Sequence, residues 1–320
     1  MRTLWQKLTR HTPGDFLAAL LLAAGFLAFV TWDQTHWWRV KTDYGFGWLV
    51  PLFVGYVVYE RWPRIAAAAT ACAAPGSPRA AGWHRWVLRL SVGLSLLWGV
   101  LWFLLGAFYR AGAGASQPGT LAITMGAVAI VLPLLWLHAP PSATPTPAPF
   151  WADARLGLVR WFLFPVLVWL VSAPLVSAIE NQLSLFLLRK VVTVVFFVFD
   201  ALGLPIAQEG NVLALPLGRV GMAEACSGIR SLTGCLFAGA FLAAVYLERL
   251  GQKLALLSAA LGLAFLGNLA RSLFLTAWAY RHGPTAIEGA MHDFAGYAIL
   301  GVTTLGLFAL LPLVRRFVPR

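Results

Sequence analysis

Eight stretches of this chain are apolar for long enough to cross a lipid bilayer, and no other feature constrains the fold as much. A crossing helix takes about 20 predominantly apolar residues. Runs of that kind lie near 14–32, 44–60, 83–108, 120–138, 157–178, 228–247, 253–279 and 293–314. A further apolar stretch, 185–203, carries Arg189 and Lys190 near its start and reads as a helix lying in or dipping into the interface. The sequence therefore predicts an all-α, polytopic integral membrane protein with about eight transmembrane helices. Composition agrees: 60% of residues are hydrophobic and 11% charged, against roughly 25% charged in soluble domains.

The net charge of +12 is then no nucleic-acid footprint. Basic residues flank spans on the cytoplasmic side. With the N-terminus inside, the inner segments hold Arg2, Lys7, Arg10, Arg61, Arg64, Arg79, Arg85, Arg89, Arg155, Arg160, Arg249, Lys253, Arg315, Arg316 and Arg320. The outer segments keep Arg39, Lys41, Arg110, Arg189, Lys190, Arg219, Arg230, Arg271 and Arg281. That split is 15 to 9 of the 24 basic residues. It places both termini in the cytoplasm, and the stretches 204–227 and 280–292 outside. The first apolar run continues into Trp32, Asp33 and His36 with no small-residue cleavage site, so it is expected to stay as a span.

One transmembrane domain is expected over 1–320, with its core motifs in 204–297. Residues 64–82 are Ala/Pro/Gly-rich and 139–149 are Pro-rich, and both read as flexible or extended cytoplasmic linker loops. In 204–225, Asn211–Leu215 alternates weakly, Pro216-Leu217-Gly218 can turn the chain, and Arg219–Glu224 can return. A small outer hairpin before the sixth span is predicted.

The polar residues near that hairpin are unusual. Glu224-Ala225-Cys226-Ser227-Gly228-Ile229-Arg230 puts a thiol among polar neighbours just before an apolar helix. Gly228 lets other groups approach closely. Arg230 is a fixed cation, and a cation near a thiol favours the nucleophilic thiolate. Cys72 and Cys235 read as small apolar fillers. Asn268 and Arg271 stand three apart on one helical face, and an Arg inside a span is by default a functional-site hypothesis. His292 and Asp293 open the last span.

Heights can be compared at about 1.5 Å per residue. Gly228 lies ~30 Å from the inner end of its span, Arg271 ~27 Å and His292 ~33 Å. Three spans thus deliver a thiol, a guanidinium and an imidazole to one level. A Cys thiolate attacks a carbonyl carbon while a His carries the proton. An Arg can stabilise the developing oxyanion. The thioacyl product is open to water or to an amine. Each residue also has a bland role: filler for the thiol, interfacial anchoring for the His and the Arg. A transporter lined by Asn268 and Arg271 would need polar residues through the membrane depth, and a lipid-linked glycan transferase or polymerase would need cations and a carboxylate on outer loops. A non-catalytic assembly factor would tolerate loss of Cys226. No metal site is expected, because His11, His36, His84, His138 and His282 lack paired ligands. No cofactor is expected either.

Several of these runs resemble the exosortase/archaeosortase family. They are Glu209-Gly210-Asn211-Val212, Leu215-Pro216 with Gly218, and Ala223 through Leu232 around Cys226. Asn268-Leu269-Ala270-Arg271 matches the family's Asn-x-x-Arg, and His292-Asp293-Phe294-Ala295-Gly296 is also similar. Tyr44-Gly45-Phe46-Gly47-Trp48-Leu49-Val50-Pro51 is similar to Tyr-Ser-His-Gly-Phe-Leu-Val-Pro. Phe46 replaces that motif's His, so no catalytic role is given to it, and Tyr297 stands where many members have Trp. The resemblance implies a membrane cysteine transpeptidase with Cys226 as nucleophile and Arg271 and His292 completing the triad. It implies partner proteins whose C-terminal signal is a short Pro-Glu-Pro-type motif, a transmembrane helix and a basic tail. An amine or lipid acceptor stays open, as do the substrate and the oligomeric state.

Overall fold

The structure, a computed structural model, describes residues 13–221 and 228–317. Met222–Ser227, and with them Glu224, Cys226 and Ser227, lie outside the described residues. The chain gathers into two compact units. The first comprises the residues up to Lys41 and Gly45–Leu175; the second comprises Thr42–Tyr44 and everything from Val176.

In the first unit, helix α1 (Gly14–Val40) is followed by α2 (Val50–Ala73), α3 (Gly82–Ala113) and α4 (Gln117–Leu137). A last crossing is built from α5 (Ala154–Val159), a short 3₁₀ turn and α6 (Leu163–Ser172). Local signals set the starts. Ser116 accepts from the Gly119 N–H at the head of α4, with Pro118 in the first turn. Asp153 accepts from the Arg155 N–H at the head of α5. The ends of α1 fix the direction of its neighbours. Phe16 meets Phe162 edge-on at 6.5 Å, and Trp38 Nε1 donates to the Ser172 carbonyl at 3.1 Å. Helices α3 and α4 approach closely through glycine. A Cβ on Gly126 would lie 2.7 Å from the Gly99 carbonyl oxygen, and one on Gly106 2.8 Å from that of Gly119. Small residues at a helix interface allow this in a membrane, where packing replaces the hydrophobic drive between helices.

In the second unit, α7 (Ser177–Ala201) leads into a three-stranded antiparallel sheet of β3 (Ala207–Glu209), β4 (Val212–Leu215) and β5 (Gly218–Gly221). The labels β1 and β2 belong to the first unit, where Pro78–Ala80 pairs in parallel with Thr146–Ala148. Then come α8 (Ile229–Tyr246), α9 (Leu250–His282) and α10 (Ala290–Phe317). Buried Leu213, Leu215 and Val220 of the sheet share one apolar cluster with Leu188, Val191, Val195 and Phe199 of α7 and Ala279 of α9. The other end of the three-helix packing is closed by Leu242, Leu256, Leu307 and Leu311.

Eight described helical segments are long and apolar enough to cross a membrane, and they confirm the all-α polytopic class and the predicted hairpin. They are not the same eight runs. The stretch read as interfacial, 185–203, is part of the continuous 25-residue α7, which qualifies as a crossing helix. The run at 44–60 begins as a 3₁₀ segment, Thr42–Leu49, and continues as α2. Helix α2 falls outside the set because Glu60, Arg61 and Arg64 stand inside it.

Of the two stretches read as flexible or extended loops, the first is corrected in part. Residues 64–73 continue α2, as an Ala-rich run should, since Ala is the strongest helix former. Residues 74–80 and 139–148 are knitted together through β1 and β2. Arg79 Nη2 donates to the carbonyls of Cys72 (2.9 Å) and Pro140 (2.7 Å). The Asp153 carboxylate, 2% exposed, accepts from the Ala80 N–H at 3.0 Å and from Arg155 Nη2 at 2.7 Å.

Candidate active site

The site is assembled in the second unit where the starts of α8 and α10 meet the interior of α9. Gly228 begins it. The residue adopts φ +83°, the left-handed region, which glycine enters without penalty. It caps α8 and lies against Asn268 of α9: a Cβ here would stand 2.9 Å from Asn268 Nδ2. Asn268 and Arg271 share the inward face of α9, at 2% and 8% exposure. Asn268 thus touches the residue that follows the Cys226 segment, while Arg271 reaches across to α10.

That reach ends on His292. Arg271 Nη2 lies 2.7 Å from His292 Nε2 and 3.5 Å from the His292 carbonyl. A guanidinium has donors only, so Nε2 is the acceptor and the imidazole proton sits on Nδ1. Nδ1 faces the Asp293 carboxylate at 3.5 Å. Gly296, one turn further along α10, sits beside the guanidinium: a Cβ there would be in ordinary contact with Arg271 Nη2 at 3.7 Å. Asn268 is thus in contact with Gly228, and Arg271 with His292.

Arg230, at the head of α8, pairs with the segment at residues 42–43. Its Nε lies 3.2 Å from Asp43 Oδ1, its Nη2 hydrogen-bonds the Thr42 hydroxyl, and the side chain is 59% exposed. Thr233, one turn on, donates to the Asp43 carbonyl at 3.1 Å. Residues 42–44 are therefore fastened to the head of α8, and Tyr44 is fully buried. Sequence reading missed Thr42 and Asp43. Their partners are 187 and 188 residues away, and only the neighbouring Tyr44-Gly45 motif hinted that the segment mattered.

Also missed were Ser272 and Thr276 on α9, both 0% exposed. Together with His292 they line a cavity of about 340 Å³ beneath β5 and the loop from Pro284 to Gly289. Cys72 and Cys235, read as fillers, are free and buried at 0% and 1% exposure.

A donor fork, a neutral imidazole with its proton on Nδ1 and a carboxylate beside it can orient and move a proton next to a polarised carbonyl. The comparison with known families was drawn against this geometry. No curated protein and no solved structure matches the chain. The model of the transmembrane exosortase family matches residues 37–309, from the end of α1 to well inside α10. The chain belongs to the transmembrane exosortase family.

Proposed function

We propose that the chain is a membrane-embedded cysteine peptidase/transpeptidase that cleaves C-terminal sorting signals at the outer face of the cytoplasmic membrane. Family membership supports a membrane sorting transpeptidase in general terms. The contact between Arg271 and His292 at 2.7 Å is the observation that carries the finer reading. It supports a triad with Cys226, which stands two residues before Gly228 in the chain.

His292 takes the proton of the Cys226 thiol; the thiolate then attacks the scissile carbonyl carbon, a C–S bond forms and the C=O π pair moves onto the oxygen. Arg271 donates to the oxygen as it gains charge. The C–N bond then breaks, and the leaving amine takes a proton from His292, leaving a thioester on Cys226. Water or an amine acceptor attacks the thioester and His292 takes the acceptor's proton; the C–S bond breaks, and the departing Cys226 thiolate takes that proton back from His292. Asp293 stabilises the imidazole whenever it is protonated. A substrate anchored by its own transmembrane helix shares the bilayer with the enzyme, which raises its effective concentration. The phosphate-binding alternative is weakened because Arg219 and Arg230 are each ion-paired, to Glu209 and to Asp43, at 3.2 Å.

The test is co-expression with a reporter carrying a Pro-Glu-Pro-type motif, an apolar helix and a basic tail. The wild type is expected to remove the tail. Cys226→Ala and Cys226→Ser, at equal membrane abundance, are expected to leave it on. Tail removal by either variant would overturn the thiol mechanism.

A further inference from the structure

The cavity beside His292 contains polar groups that the proposed mechanism does not use. Ser272 and Thr276 are one turn apart on α9 and fully buried, and their hydroxyls have no hydrogen-bond partner among the described residues. This departs from the chain's own habit. Thr70, Thr124, Thr303 and Thr304 each donate to the carbonyl four residues earlier, the usual resting place for a helical hydroxyl. A buried hydroxyl without a bond is unfavourable, so these two are placed for something that enters the cavity.

The opposite wall is an edge strand. The sheet order is β3-β4-β5, so among the described residues β5 is paired on one side only. Its register pairs Leu215 with Gly218 across a two-residue turn, and Leu213 with Val220. Those pairs exchange the ladder bonds, because opposite residues alternate between bonded and non-bonded pairs. The N–H and C=O groups of Arg219 and Gly221 therefore point away from β4, and both residues line the cavity. The hydroxyls of α9 and the outward main-chain groups of β5 are neutral donors and acceptors, with Arg219, Glu288 and His292 also in the lining. Beyond Gly221, four residues of chain lead to Cys226.

We propose that this cavity docks the extended main chain of the substrate's sorting segment, as an added strand on β5 whose outer side meets Ser272 and Thr276. This rests on the sorting-peptidase reading and names how that site holds its substrate. Added strands gain affinity from main-chain bonds and specificity from alternate side chains.

Two measurements on the full-length chain in membranes test it. In the first, Arg219→Cys is combined with Cys226→Ala, and single cysteines are stepped along the reporter's motif. Mild oxidation is expected to give disulfides at every second reporter position, since side chains alternate across a strand. No disulfide at any position, or yields without alternation, would overturn the docking. This arm needs no catalysis, so it stands or falls apart from the peptidase reading. In the second, reporter processing is timed at limiting reporter. Arg219→Pro removes an outward N–H, and the Ser272→Ala/Thr276→Val pair removes the hydroxyls. Each is expected to slow processing roughly fivefold, with the loss shrinking as reporter expression rises. Gln208→Pro, on the outer edge of β3, is expected to process normally. Wild-type rates for Arg219→Pro and for the hydroxyl pair would overturn the proposal even where the wild type cleaves and Cys226→Ala does not.

Discussion

At the scale of single residues, the site depends on one missing carbon. Gly228→Ala would force a β-carbon into the left-handed region, at about 1–2 kcal/mol, and push it against Asn268 Nδ2. We expect tail removal to fall at least about tenfold at unchanged abundance, since 1.4 kcal/mol is tenfold. Reporter processing measures it. Arg271→Lys is expected to lose most activity despite keeping the charge, because an ammonium cannot hold His292 and a carbonyl oxygen with one planar fork. Near wild-type turnover would reduce Arg271 to an interfacial anchor. Ser272→Ala and Thr276→Val are expected to behave differently in a thermal melt: stability should hold to within about 1 kcal/mol, because an unpaired buried hydroxyl gives little when present. Gly228, Asn268, Arg271 and His292 were legible in the sequence because helical rise converts residue number into height. Asp43, Thr42, Ser272 and Thr276 were not. The first two act through contacts nearly 190 positions away. The hydroxyls carry no charge to mark them against an apolar helix.

At the scale of elements, the apolar runs were readable because twenty apolar residues in a row have few uses outside a bilayer. Their boundaries and exceptions were not. Arg189 and Lys190 suggested an interfacial helix, yet Lys190 Nζ lies over the Phe186 ring at 5.8 Å and a long stem carries such a charge out of an apolar helix. The low-complexity stretches hid a different device, the buried Asp153 carboxylate. Burial alone would raise its pKa, but hydrogen bonds from Arg155 and the Ala80 N–H and the Arg155 charge outweigh that and hold it below 3.8. A depressed folded-state pKa means that the carboxylate stabilises the fold above its ordinary value. That stability is lost as pH falls through the lower, folded value. Asp153→Asn is therefore expected to lower the melting temperature at neutral pH and to flatten the acid limb of the melting curve. An unchanged melting temperature would show the cluster to be ornamental to stability.

At the scale of the whole molecule, the open question is which end faces out. Within the first unit the basic residues gather at one end. Arg61, Arg64 and Arg160 lie within 5.8 Å of the Trp161 ring centroid, and Arg79 and Arg155 converge on Asp153. Within the second unit, Arg315 Nη2 donates to the Tyr246 carbonyl at 2.6 Å, at the end away from His292. Arg249, Lys253 and Arg316 stand in the same helix ends, whereas Arg219 and Arg230, near the site, are paired with carboxylates. For the second unit the positive-inside bias predicts that these basic ends face the cytoplasm and that the loop after α9 faces outside. Thr285→Cys in a Cys226→Ala background tests this. Thr285 is exposed and avoids the left-handed backbone of Gly283, at φ +88°, while Cys72 and Cys235 are too buried to compete for reagent. A membrane-impermeant maleimide is expected to label intact cells. Labelling only after permeabilisation would turn the site to the cytoplasm. A thiol there could not process a tail whose motif has already crossed the bilayer, so that result would also remove the exported-substrate reading.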